Sequence, residues 1–263
     1  MNILEQIVAV KREESATLRR RRPDASFDDV PGFHLPVRSL RDAIGRARRP
    51  AVIAEIKRAS PSAGVIRASV NPPELAAGYQ ANGAAAISVL TDVRFFSGGG
   101  QDLTAVRTVV DIPVVRKDFI IEEIQVAESK SLGADAILLI ASILDAGRLR
   151  DLHGRATELG MECLVEIHHP DELDKLDFSS VRLVGINNRN LTDFSVDLDT
   201  TARVAALLPT GVITVSESGL RSPADVRRVV GSGIHAVLMG EYFMRNAHPA
   251  RCLGALIDEL HQD

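Results

Sequence analysis

The sequence predicts an α/β protein, a closed (β/α)8 TIM barrel with an N-terminal helical extension, and three observations carry that prediction. From about residue 51 onward, eight short runs of β-branched and small apolar residues recur at regular intervals. Helix-length segments with apolar residues at three- and four-residue spacing lie between them, the pattern of right-handed parallel βαβ units. The length of 263 residues matches the roughly 250 typical of one such barrel. An open doubly wound sheet is disfavoured, because no GxGxxG follows the first strand and the candidate phosphate glycines come after strands seven and eight.

Taken in order, residues 1–50 form the extension and 51–263 the eight βα units of a single domain. Ile3, Leu4, Ile7 and Val8 share one stripe of a first helix, which the run Arg19-Arg20-Arg21-Arg22-Pro23 ends. Those arginines read as a solvated helix terminus with cations near the negative dipole end, not as a polyanion site. Strands are expected at 51–57, 85–90, 113–117, 136–140, 162–167, 183–187, 212–216 and 236–239. Helices are expected at 73–80, 121–132, 144–159, 199–208, 223–230 and 249–260. Gly83, Gly133 and Gly160 each precede a strand, where a helix C-terminus needs positive φ.

Composition narrows the function classes. Apolar residues make up 45 % and charged residues 25 %, ordinary for a globular protein and far from disorder. A net charge of −4 gives no footprint for nucleic acid. No stretch approaches the roughly 18 apolar residues of a membrane span, and the first 14 residues carry too many charges for a signal peptide. The two cysteines, Cys163 and Cys252, make no disulfide framework and fit a reducing, cytoplasmic setting.

Alternation along strands points to the chemistry. Residues i and i+2 share a face, so Ile53, Glu55 and Lys57 lie on one side of the first strand. Ionisable groups are costly in a core, but at the C-terminal mouth of a barrel they are expected of an active site. Lys117 ends strand three, Glu166 strand five, Asn187 strand six and Glu217 strand seven, whereas the opposite strand ends read as apolar. Ser218-Gly219 and Gly240 follow strands seven and eight, where turns present backbone N–H groups to a phosphate, and Arg189 adds a cation. His168 and His169 should point to opposite sides with no third ligand, so no metal is expected. Cys163 shares parity with Val165, opposite Glu166, and reads as core.

These residues resemble the indole-3-glycerol phosphate synthase family nearly end to end. The resemblance rests on Ile3-Leu4-Glu5-Gln6-Ile7, Lys11-Arg12-Glu13-Glu14, Glu55-Ile56-Lys57-Arg58-Ala59-Ser60-Pro61-Ser62-Ala63-Gly64 and Ser88-Val89-Leu90-Thr91-Asp92. It continues in Arg116-Lys117-Asp118-Phe119-Ile120, Leu164-Val165-Glu166-Ile167-His168, Gly185-Ile186-Asn187-Asn188-Arg189-Asn190-Leu191 and Ser216-Glu217-Ser218-Gly219. The resemblance implies ring closure on an anthranilate-bearing deoxyribulose phosphate, with loss of carbon dioxide and water and no cofactor or metal. It also implies an extra helical segment folding over the barrel mouth.

By that resemblance Lys117 is the proton donor, with Lys57, Glu55 and Glu166 sharing the remaining acid–base work and Asn187 and Glu217 orienting hydroxyl and amine groups. Ser60, Phe96, Phe119, Leu138 and Leu191 would line the aryl side. Arg189, Ser218, Gly219, Gly240 and Glu241 would hold the phosphate; many relatives carry a small hydroxyl residue at 241, and because a carboxylate would repel the phosphate only the backbone N–H of Glu241 is expected to contribute. A local cluster of Lys57, Lys117 and Arg189 is expected to draw the anionic substrate. The chain is expected to be a monomer or weak homo-oligomer. Two other readings compete: another phosphate-binding barrel, such as phosphoribosylanthranilate isomerase, and a non-catalytic barrel that senses a phosphometabolite.

Overall fold

A computed structural model describes residues 2–261. Eight parallel strands close into a barrel: β1 (Ala51–Ile56), β2 (Ala86–Leu90), β3 (Val114–Lys117), β4 (Ala136–Ile140), β5 (Glu162–Ile167), β6 (Leu183–Asn187), β7 (Ile213–Glu217) and β8 (Ala236–Met239). Closure comes where β1 meets β8, with Ala51 opposite Ala236 and Ala54 opposite Met239. Every strand is buried on both faces, which is why these runs lack the apolar–polar alternation of an open antiparallel sheet.

Strand parity sorts the core in two. Val52, Ala54, Ile56, Ile87, Val89, Ile137, Leu139, Cys163 and Val165 face the helical shell. Ala51, Ile53, Ala86, Val115, Ala136, Leu138, Ile140, Leu164, Leu183, Val215, Ala236 and Leu238 fill the lumen. Small residues interleaved with branched ones let eight strands converge without aromatic bulk. Cys163 is buried as expected, and burial pushes its thiol pKa well above the ordinary value.

Before the barrel come α1 (Ile3–Arg21) and α2 (Leu40–Arg46). The shell consists of α3 (Pro72–Ala81), α4 (Val93–Phe96), α5 (Gly100–Arg107), α6 (Glu123–Ser131), α7 (Ala146–Glu158), α8 (Asp199–Ala205), α9 (Pro223–Val230), α10 (Glu241–Met244) and α11 (Pro249–Leu260). The periodicity passed over α5, whose Leu103 and Val106 supply only a narrow apolar stripe behind three glycines. Between β5 and β6 there is a 3-10 turn, Pro170–Lys175, in place of an α-helix. Gly83, Gly133 and Gly160 have φ of 95°, 90° and 78°, in the left-handed region that the sequence reading requires. No helix among the described residues is long and apolar enough to cross a membrane.

Two expectations need correction. The N-terminal extension does not fold over the mouth as a whole: α1 does so, while α2 inserts Leu40 and Ile44 into the lumen core at the opposite end. The strand starts are also not uniformly apolar. Glu162 opens β5, and its carboxylate accepts bonds from Leu40 N at 2.6 Å, Arg41 N at 3.0 Å and Ser39 Oγ at 3.1 Å. A plug helix leaves orphan N–H groups at its N-terminus, and Glu162 satisfies them. The arginine run behaves as expected, ending α1 with Arg19 paired to Glu122 and Arg22 to Asp29.

Candidate active site

The C-terminal mouth gathers every residue that the sequence reading assigned to chemistry. Glu55, Lys57, Ser60, Phe96, Lys117, Phe119, Leu138, Glu166, Asn187, Arg189, Leu191, Glu217, Ser218, Gly219, Gly240 and Glu241 line one cavity. At its centre Lys117 donates to Glu217 and, at 3.2 Å, to Oε2 of Glu166. Lys57 lies just beyond the end of β1 and pairs with Glu55 at 2.9 Å. Phe96 and Phe119 form a tilted pair with centroids 6.0 Å apart on one wall. Leu138, with its neighbours Ala136 and Ile140, points inward as parity requires.

Glycines make room for two of these carboxylates. A Cβ on Gly185 of β6 would come within 2.1 Å of Glu217 Oε1, and one on Gly240 within 2.7 Å of Glu55 Oε1. Gly240 therefore serves the acid on β1 as much as the turn it opens. Ser218 and Gly219 both adopt positive φ, at 64° and 78°, and turn the chain sharply at the end of β7. Arg189 donates to Phe194 O at 3.3 Å and lies 4.0 Å from Glu241. The Glu241 carboxylate also pairs with Arg245 at 2.9 Å.

Lys57, Lys117 and Arg189 do share the cavity, but each arrives with a carboxylate partner. Glu55, Glu166, Glu217 and Glu241 balance them at short range. This crowding sets the protonation states. Burial opposes the charge on Lys117, but Glu217, Glu166 and Glu55 outweigh it and raise its pKa. Burial favours neutral Glu166, but Lys117 and His168 hold it well below the usual carboxylate range. Glu217 goes the other way: burial, with Glu166 and Glu55 nearby, pushes it up to about 7 against the pull of Lys117.

The sequence reading expected a helical roof but named neither the side chains that line the cavity from it nor its anchor. Ile3, Leu4 and Ile7 of α1 close over the cavity. The same face continues to Lys11, which is 2 % exposed and meets Glu14 at 2.8 Å, Asp92 at 2.8 Å and Asp118 at 2.9 Å. Asp92 caps α4, the turn that carries Phe96, by accepting from Phe95 N at 2.6 Å. Asp118 also accepts from Thr91 Oγ1 at 2.6 Å and from Arg116 at 3.1 Å. The signal was present: the i, i+4 spacing of Ile3, Ile7 and Lys11 places the lysine on the buried stripe. Two of its partners, Asp92 and Asp118, come from distant loops, so no local pattern names them. Pro61, Ser62, Phe194, Leu220 and Leu238 also line the cavity. As expected, His168 turns in and His169 out, with side-chain exposures of 12 % and 69 %.

Comparison with known proteins agrees with this geometry. Residues 4–256 match the family model described as indole-3-glycerol phosphate synthase. A protein of that name from Laribacter hongkongensis is 45 % identical over 97 % of this chain and 98 % of its own. Another from Desulfotalea psychrophila is 47 % identical over 93 % and 94 %, and one from Bordetella pertussis 43 % over 97 % and 99 %. A solved structure of a cube-shaped, highly porous designed protein cage superposes with a TM-score of 0.59. It is 14 % identical and covers 80 % of this chain and 72 % of its own, a likeness of fold alone. With a buried lysine between two carboxylates at the barrel mouth and the family motifs along its whole length, the chain belongs to the indole-3-glycerol phosphate synthase family.

Proposed function

We propose that this cavity carries out the carboxy-lyase reaction of the family, closing the indole ring of 1-(2-carboxyphenylamino)-1-deoxyribulose 5-phosphate in tryptophan biosynthesis. The observation that carries the assignment of roles is Lys117 held between Glu166 and Glu217 beneath an aromatic wall. Attack of the aryl carbon on the ketone puts negative charge on oxygen, and Lys117 delivers a proton there. Lys57 faces the substrate carboxylate until carbon dioxide leaves. Loss of water then needs the hydroxyl protonated and a proton removed from the adjacent ring CH2, the N–H staying in the indole. Glu166, held ionised, accepts that C–H proton, while Glu217, which can hold a proton near neutrality, returns one to Lys117 for the leaving hydroxyl. Asn187 and Glu55 orient the hydroxyl and Lys57 respectively.

Phe96, Phe119, Leu138 and Leu191 pack the aryl ring, with Ser60 at its edge. The phosphate falls to Ser218, Gly219, Gly240, the backbone N–H of Glu241, and Arg189. Replacing Lys117 with Met should reduce turnover at least 10³-fold, read by the fluorescence of the indole product; full turnover would overturn the assignment. Inorganic phosphate should inhibit competitively with substrate, and a lack of competition at any concentration would remove the anion site. Neither the isomerase nor the non-catalytic reading is favoured, since Glu55, Lys57 and Lys117 converge here. The chain is further proposed to act in the cytoplasm as a monomer or weak homo-oligomer, with mass by sedimentation as the check.

A further inference from the structure

Each oxygen of the Glu166 carboxylate faces a different basic group, Lys117 through a hydrogen bond and His168 at ion-pair distance. Oε2 accepts from Lys117 Nζ at 3.2 Å, and Oε1 lies 3.3 Å from Nε2 of His168. The two groups approach from different places: Lys117 from β3 and His168 from the residue immediately after β5. His168 is in turn held from behind. Its backbone N–H donates to Glu172 Oε2 at 2.7 Å, and the same oxygen lies 3.8 Å from Nδ1 of the ring. Glu172 belongs to the 3-10 turn Pro170–Lys175 that replaces a helix between β5 and β6. An α-helix there would draw the chain away from the rim; the tight turn brings Glu172 back onto His168.

The result is a line of alternating charge from the rim to the reaction centre: Glu172, His168, Glu166, Lys117, Glu217. All five side chains are at most 14 % exposed, so solvent screens them little. We propose that His168 is a positioning residue for the ring closure: its imidazolium holds Oε1 of Glu166, keeping that carboxylate ionised and oriented, and Glu172 holds the imidazole in place. The inference deepens the role given to Glu166 above and rests on it.

The charged groups acting on the ring are Glu166 from its own strand and Glu172 from the following turn. Lys117 of β3 acts through Glu166, while His169 faces outward beside Asp171. Burial disfavours the imidazolium, but the two carboxylates overcome that and raise His168 to about 9. The proton is therefore in place at neutral pH and is lost as pH rises through that value.

The test compares H168L, H168Q, E172Q and E166Q in the full chain, following kcat, KM and the pH profile of kcat. H168L should lower kcat at least tenfold with KM within twofold of wild type. H168Q should recover part of the loss, because an amide N–H can still reach Oε1. E172Q should move the alkaline fall of kcat to lower pH, since the imidazolium loses a carboxylate; a purely structural role would leave that limb where it is. Wild-type kcat in H168L, or an unmoved alkaline limb in E172Q, overturns the proposal, and E172Q decides alone if H168L does not fold. Full turnover in E166Q would instead remove the role of Glu166 and this inference with it. An inactive E166Q beside wild-type behaviour in H168L and E172Q removes this inference only.

Discussion

Gly185 matters to the mouth as much as the carboxylate it faces, because Glu217 occupies the space where its side chain would be. Gly185→Ala should displace Glu217 from Lys117 and lower kcat about 10- to 100-fold, while overpacking costs only about 1–3 kcal/mol of stability. Steady-state kinetics beside a thermal melt checks both halves. Glu217 itself carries a sign that can be worked out. Its folded pKa is raised to about 7, so the native state binds more protons than the unfolded chain between the ordinary carboxylate value and about 7, and ionised Glu217 costs stability above that window. Glu217→Gln removes this cost. The variant should gain Tm relative to wild type by a few degrees more at pH 8 than at pH 5, while turnover falls. An equal Tm difference at the two pH values would contradict the assigned shift.

At the scale of elements, the N-terminal extension divides its work between the two ends of the barrel. α1 roofs the cavity and is pinned by Lys11, whose carboxylate partners lie in the loops after β2 and β3. Lys11→Met strands Asp92 in the interior and removes one of the cations facing Asp118. A loss of about 3–5 kcal/mol is expected. KM should rise at least tenfold, because Asp92, which caps the turn carrying Phe96, loses its ion pair and Ile3, Leu4 and Ile7 lose their anchor; calorimetry with KM measurement tests this. α2 seals the other end. Glu162→Ala removes the acceptor for its first turn and should cost about 1–2 kcal/mol, with kcat and KM unchanged because the site lies at the opposite rim. A changed kcat in this variant would show that the two ends are coupled.

For the whole molecule, closure of β1 on β8 ties the first unit of the barrel to the last, and α1 and α2 bind to loops and strands along the chain. We expect one cooperative unfolding transition, with far-ultraviolet circular dichroism and loss of activity tracing the same curve; two separated transitions would argue for independent domains. The sequence by itself determined the eight-unit repeat, which face of each strand looks inward, and the rim at which Glu55, Lys117, Glu166, Asn187 and Glu217 collect. Those are consequences of a period-two backbone and a parallel topology, and both are local. Only the tertiary structure decided that the cations arrive already paired, that Gly185 and Gly240 vacate space for carboxylates, and that Lys11 and His168 act from outside the strands. It also decided that Glu162 faces a plug helix and not an apolar floor. The physical reason is the same throughout. Charge–charge energies depend on through-space distance at low dielectric, and residues far apart in the chain become neighbours only when the barrel closes.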